Sequence, residues 1–137
     1  MKKRFVLSED ELDKLLDFLE EKTKEKKIIL LEGNLGSGKT TLVKKFAKRL
    51  GIEEATSPTF SIEHVYNGKI YHYDLYQTPL EKFLELGLFE ELEKDGIHFI
   101  EWPDENLKEL LKNMGLEFIE IKIMPKNNKR EYLVISH

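Results

Sequence analysis

The sequence contains no cysteine, which excludes disulfides and every cysteine-ligated metal centre. No apolar run approaches the ~20 residues that a membrane span requires. Met1 to Leu7 carries Lys2, Lys3 and Arg4 but lacks the apolar core of a signal peptide. A cytoplasmic location with no membrane contact is the expectation. Positive charge is also short, since 22 Lys and Arg face 26 Asp and Glu for a net charge of −4. A protein that grips nucleic acid by itself is usually basic, because phosphate neutralisation supplies most of the affinity. The basic clusters Lys2-Lys3-Arg4, Lys22 to Lys27 and Lys126 to Arg130 are short and interleaved with acids or polar residues. They read as solvated surface, and any contact with nucleic acid is expected to be indirect. Repeats, low-complexity tracts and linkers are absent as well.

What is present is 137 residues with 40% hydrophobic and 35% charged content, the signature of one globular domain over 1–137. Ser8 and Glu11 have capping-box spacing. Leu12, Leu15, Leu16 and Leu19 then repeat at helical spacing, which predicts an amphipathic helix over 9–24. Ile28 to Leu31 is a continuous apolar run suited to a strand buried on both faces. A glycine-rich loop follows at once. Leu42, Val43, Phe46, Ala47 and Leu50 then predict a helix over 39–50, stopped by Gly51. Residues 56–60 read as a loop, because Pro58 blocks regular strand pairing. Asn67-Gly68 between 62–66 and 69–73 is a hairpin signal. One or two short helices broken at Gly87 are expected over 80–94, a strand over 97–101 and a helix over 104–113. Two further strands, 116–124 and 131–135, would flank a polar turn at 126–129. Together these predict a three-layer α/β domain of P-loop type with a mixed sheet.

The loop Gly33-Asn34-Leu35-Gly36-Ser37-Gly38-Lys39-Thr40 matches G-x-x-x-x-G-K-[ST]. Its glycines let several backbone N–H groups point into one cavity, and the following helix adds its positive end. Lys39 can reach the β and γ phosphates of a nucleotide, and the Thr40 hydroxyl can ligate the Mg²⁺ that bridges them. The loop lies between a buried-type strand and an amphipathic helix, the context that distinguishes the motif from a chance match. Such a loop needs an acid on a neighbouring strand to help hold the metal. Asp74 follows Ile70-Tyr71-His72-Tyr73, and Glu101 follows Ile97-His98-Phe99-Ile100. Residue chemistry alone leaves both open, although Glu101 ends the more continuous apolar run. His72 and His98 lack a third ligand nearby and read as structural rather than as a zinc site.

Taken in order and spacing, Gly33 to Thr41 (GNLGSGKTT), Ser57-Pro58-Thr59-Phe60, His72-Tyr73-Asp74-Leu75-Tyr76, Leu86-Gly87-Leu88 and Ile100-Glu101-Trp102-Pro103 resemble the bacterial TsaE family, also called YjeE. That family is the ATPase of tRNA threonylcarbamoyladenosine biosynthesis. The resemblance spans nearly the whole chain. It implies ATP and Mg²⁺ as ligands, with Gly33 and the segment Gly36, Ser37, Gly38, Lys39, Thr40 and Thr41 around the phosphates. It implies Thr40 and Glu101 as the Mg²⁺ ligands, favouring Glu101 over Asp74. Asp74 would be a switch-like residue needed for turnover, orienting the attacking water. Thr59 would lie in a switch segment near the γ-phosphate, and Lys39 would serve turnover as well as binding. Trp102 would line the nucleotide site or a partner surface, with core packing an equal reading. The helix start around Asp10 would lie near the adenine through backbone contacts. The implied partners are the TsaD and TsaB proteins. Two positions depart from the family pattern, Asn34 where Asp is usual and Gln77 where Arg is usual.

Rival functions are weaker on the same residues. A GTPase should show an N/T-K-x-D motif, which this sequence lacks. A small-molecule kinase commonly clamps the transferred group with arginines, and arginine is confined here to Arg4, Arg49 and Arg130. A nucleotide-gated binding module would use the same loop, with tight ATP binding and no turnover.

Overall fold

A computed structural model describes residues 1–53, 57–60 and 62–136, with residues 57–60 described by their backbone alone. Eight strands form one sheet in the order β1-β8-β7-β2-β6-β5-β4-β3. They are β1 (Lys2–Leu7), β2 (Ile28–Glu32), β3 (Ser57–Phe60), β4 (Glu63–Tyr66), β5 (Ile70–Asp74), β6 (Ile97–Glu101), β7 (Phe118–Lys126) and β8 (Lys129–Ser136). The helices are α1 (Asp13–Lys22), α2 (Lys39–Arg49), α3 (Leu80–Glu85), α4 (Leu88–Glu91) and α5 (Glu105–Asn113). The centre β7-β2-β6-β5 is parallel. Antiparallel pairs close both sides, β1/β8/β7 at one edge and β3/β4/β5 at the other. The sheet is therefore mixed, as predicted.

Two apolar layers explain why the chain folds this way. One face of β2, β6 and β7 (Ile29, Leu31, Phe99, Ile119, Ile121) packs against Leu15, Leu16 and Leu19 of α1 and Leu42, Val43 and Phe46 of α2. The other face (Ile28, Leu30, Ile100, Phe118) packs against Phe83, Leu88, Leu107 and Leu111 of α3 to α5. The edge-on contact of the Phe46 and Phe99 rings, 5.4 Å between centroids, fixes α2 over β6. Truncating either ring to Ala is worth about 3–5 kcal/mol. This packing aims the N-terminus of α2 at the carboxyl ends of β2 and β6, where α/β sheets place their ligands.

Several elements differ from expectation. β1 is an additional strand; its alternating Lys3, Phe5 and Leu7 pair with Val134, Tyr132 and Arg130 of β8, and the exposed charges of an edge strand mask the pattern. Ser57–Phe60 is a strand, not a loop, because it pairs on one side only, with β4, at the sheet edge. A proline is tolerated at such an edge, and the register shifts between Pro58 and Phe60. Thr56 lies outside the described residues. The first helix begins as a 3₁₀ turn, Glu9–Glu11, and is α-helical only from Asp13 to Lys22. Glu11 accepts the Ser8 N–H at 2.9 Å and pairs with Lys129 at 2.9 Å, holding that first turn tight. Thr23 Oγ1 donates to Leu19 O at 2.8 Å and closes the other end. The Asn67-Gly68 hairpin is present, with φ of 54° and 66° and Lys69 N–H donating to Tyr66 O at 3.0 Å. The β7–β8 ribbon runs longer than predicted and turns at Asn127 and Asn128.

Candidate functional site

The loop between β2 and α2 curls around its own lysine. Lys39 Nζ donates to Gly33 O at 2.5 Å, Asn34 O at 3.0 Å and Ser37 Oγ at 3.4 Å. Its ammonium also sits 4.1 Å from the centre of the Trp102 ring, a cation–π contact. Burial pulls the Lys39 ammonium below the ordinary lysine range, opposed by the negative charge of Glu101 and then Asp74. Two glycines make the curl possible. A Cβ on Gly33 would lie 2.5 Å from Ser37 Oγ and 2.8 Å from Ile123 O. Gly38 has φ of +103°, and a Cβ there would run into the Arg130 guanidinium.

The two strand-end acids stand side by side, since Asp74 of β5 is in register with Glu101 of β6. They differ in what they touch. Glu101 is buried, and its Oε2 accepts Thr40 Oγ1–H at 2.8 Å and contacts His72 Nε2. Burial pushes its carboxyl up, but His72, Thr40 and Lys39 outweigh that and hold it below the ordinary range. Asp74 Oδ1 accepts the Tyr76 N–H at 3.1 Å, and its carboxylate faces the loop from one strand farther out. Thr40 and Glu101 thus present a hydroxyl and a carboxylate together, the hard oxygen donors a divalent cation such as Mg²⁺ takes.

Three cavities adjoin these residues. One of about 270 Å³ is lined by Gly36 to Thr41 with Asp74, Tyr76, Glu101, Trp102 and Arg130. One of about 600 Å³ opens on the other side of Leu35, Gly36 and Ser37, between Leu7-Ser8-Glu9 and the β7–β8 hairpin. One of about 520 Å³ shares Thr40 and Asp74 and is lined by Lys44, Glu53, His64, Tyr66 and His72. The first two share Leu35, Gly36, Ser37 and Arg130 among their lining residues, so they flank the same stretch of loop.

Of the residues singled out from sequence, Gly33 opens the loop, and Gly36 to Thr41, Asp74, Glu101 and Trp102 line the cavity of about 270 Å³. Asp10 does not line it; it lines a separate cavity of about 340 Å³ with Lys45, Lys48 and Arg49, while Ser8 and Glu9 border the larger cavity. Thr59 lies in β3, and its side chain is outside the described residues. Trp102 has φ of +61°, a backbone conformation costing on the order of 1–3 kcal/mol in a non-glycine residue. Its ring packs on Tyr76 at 5.0 Å as well as on Lys39, so it belongs to the site and to the edge of the core together.

Sequence reasoning missed Arg130, Tyr76 and His72. Arg130 belongs to a basic cluster that sequence alone reads as solvated surface; the long β8 strand carries it back over Gly38. Only the hairpin's register could have shown this. His98, by contrast, is structural, with Nδ1 to Tyr73 Oη at 2.8 Å and Nε2 to Lys94 O at 2.9 Å.

The strand–loop–helix unit, the lysine it enfolds and the hydroxyl–carboxylate pair beside it sit in a mixed-sheet domain of the α/β class. The model of the family "Threonylcarbamoyl adenosine biosynthesis protein TsaE" matches residues 6–132. The chain belongs to the TsaE family. It is 31% identical to the tRNA threonylcarbamoyladenosine biosynthesis protein TsaE of Aquifex aeolicus over 95% of this chain and 93% of that protein. With the Rickettsia conorii protein of the same name it shares 38% identity over 95% of this chain and 75% of the other. The Borreliella burgdorferi protein is 49% identical over a shorter stretch, 56% of this chain and 60% of that protein. Among solved structures, Bacillus subtilis YdiB superposes with a TM-score of 0.68 at 30% identity, covering 99% of this chain and 84% of that one.

Proposed function

We propose that this protein binds ATP with Mg²⁺ and hydrolyses it slowly in tRNA threonylcarbamoyladenosine biosynthesis, in the cytoplasm, with TsaD and TsaB as partners. The place in tRNA modification rests on family membership. The chemistry rests on one observation, the Thr40 hydroxyl held at 2.8 Å on a buried strand-end carboxylate beside the loop lysine.

In this reading the backbone N–H groups of Gly36 to Thr41 and the N-terminus of α2 hold the phosphates. Lys39 supplies a fixed positive charge toward the β and γ positions. Thr40 and Glu101 would hold the Mg²⁺, which would supply charge neutralisation at those phosphates. Asp74, its carboxylate oriented by the Tyr76 N–H, directs the attacking water. Arg130 adds a second cation at the loop. The larger cavity, walled by Ser8, Glu9 and the β7–β8 hairpin, takes the base.

Calorimetric titration with Mg-ATP and Mg-GTP tests the reading. ATP should bind clearly better than GTP, because the guanine motif is missing. Steady-state assays should show slow ATP turnover. Equal affinities would overturn the base assignment, and tight binding with no turnover even beside partners would favour a nucleotide-gated binding module.

A further inference from the structure

Glu101 is gripped from two sides. Thr40 reaches its Oε2 from the start of α2, and His72 Nε2 reaches the same oxygen from β5. Successive residues of a strand alternate faces, so His72 and Asp74 share the face on which Glu101 lies. His72 is 4% exposed and Glu101 3%. Burying an imidazole and a carboxylate costs free energy unless they bond to one another, and an apolar side chain would fill the same space without that cost. An ionised carboxylate only accepts hydrogen bonds, so the nitrogen facing it must carry a proton. Oε2 is thereby committed to two donors, and Oε1 is left for ligation. Thr40 can keep its proton on Oε2 while an oxygen lone pair remains available.

We infer that His72 is a positioning residue for the metal. It donates Nε2–H to Glu101 Oε2, fixes the carboxylate's rotamer and leaves Oε1 to the divalent cation. The assignment rests on the Mg-nucleotide reading above and adds to it a residue outside the ligand set. Partners of this kind, hydrogen-bonded behind a metal ligand, typically change metal affinity 10–100-fold when removed.

ADP, which is not turned over, separates the effects when titrated calorimetrically with Mg²⁺ and again with EDTA. Two variants differ only in reach. The amide nitrogen of His72→Gln can occupy the Nε2 position, whereas the shorter His72→Asn cannot. His72→Gln should keep the Mg²⁺-dependent gain in ADP affinity within about threefold. His72→Asn should lose about 10–100-fold of that gain, with its EDTA affinity unchanged. Nitrogen-15 spectra of the wild-type ring, assigned by the signals lost in His72→Gln, should show Nε2 protonated; this readout needs no folded Asn variant. The inference is overturned if Nε2 is unprotonated, if both variants keep the gain, or if His72→Asn loses affinity equally in EDTA and Mg²⁺. If the wild type shows no Mg²⁺-dependent gain, the metal reading itself fails and this assignment goes with it.

Discussion

Two buried ionic clusters lie at the carboxyl end of the sheet, on opposite faces and one strand apart. On the α5 side, Lys108 Nζ is ringed by Glu32 at 2.9 Å, Glu120 at 3.2 Å and Glu105 at 3.3 Å. On the α2 side, Glu101 is met by a hydroxyl and an imidazole, with Lys39 at longer range. The first cluster sets three carboxylates around one cation, with Lys108 and Glu120 buried and Glu105 at the surface. The second opens onto a cavity through Thr40 and Glu101. Glu32 ends β2 immediately before Gly33, so the Lys108 cluster anchors the strand that leads into the glycine-rich loop. Charge paired within the fold builds the frame, and charge left facing a cavity is available to a ligand.

The largest effect should come from breaking the Lys108 cluster. Lys108→Met leaves the buried Glu120 and the partly buried Glu32 without their cation and should cost about 3–5 kcal/mol, read from urea unfolding. Glu101→Gln, which keeps its hydrogen-bonding capacity, should cost far less stability. Similar losses for the two would erase the distinction. Burial works against the Lys108 charge, but Glu32 and Glu120 outweigh it and raise the group above the ordinary lysine value of 10.5. A raised cation stabilises the fold fully below its unfolded value. That contribution should persist to about pH 10.5 and decline above it.

Next in size are the effects on the open side. Lys39→Ala should lower Mg-ATP affinity at least about tenfold or abolish hydrolysis, because the motif aims no other loop side-chain charge at the phosphates. Loss of the ammonium also leaves the Gly33 and Asn34 carbonyls without this donor, so stability should fall somewhat, and calorimetry on the folded variant decides the matter. The two acids then divide. Glu101→Ala should lose the Mg²⁺-dependent part of nucleotide affinity. Asp74→Ala should retain binding and lose turnover, since an interaction made only toward the transition state lowers rate without lowering ground-state binding. Swapped outcomes would exchange the roles.

The smallest effect lies at the rim of the larger cavity. Glu11 is drawn down to about 2, first by the Ser8 N–H and then by Lys129 and the Ser8 hydroxyl. A depressed acid stabilises the fold above its unfolded value, 4.5 here, and loses that contribution as pH falls toward 2. Glu11→Gln should flatten this part of the acid-unfolding curve slightly, and an unchanged curve would remove Glu11 from the account.

The central strands, α2 and the glycine-rich loop between them were legible because their signals are local, in Ile28 to Leu31, the spacing from Leu42 to Ala47, and the run from Gly33 to Thr40. Asp74 and Glu101 were legible as a pair but not as a choice, since both end apolar strands. The contact with Thr40 depends on which strand neighbours β2. What sequence hid is long-range. β1 is specified by its pairing with β8, Pro58 is permitted by an edge position, and Arg130 reaches the loop through a hairpin register set some ninety residues away. His72 read as core because nothing in its own neighbourhood names Glu101 as its partner.

The most direct test of the proposed function is a reconstitution with TsaD and TsaB from the same source, the synthase that makes the threonylcarbamoyl donor, ATP, and a tRNA reading codons that begin with A. Threonylcarbamoyladenosine is counted per transferase over many turnovers. Sustained modification should require this protein with Lys39 intact. An unchanged yield when it is omitted, or when Lys39→Ala replaces it, would contradict the role in tRNA modification.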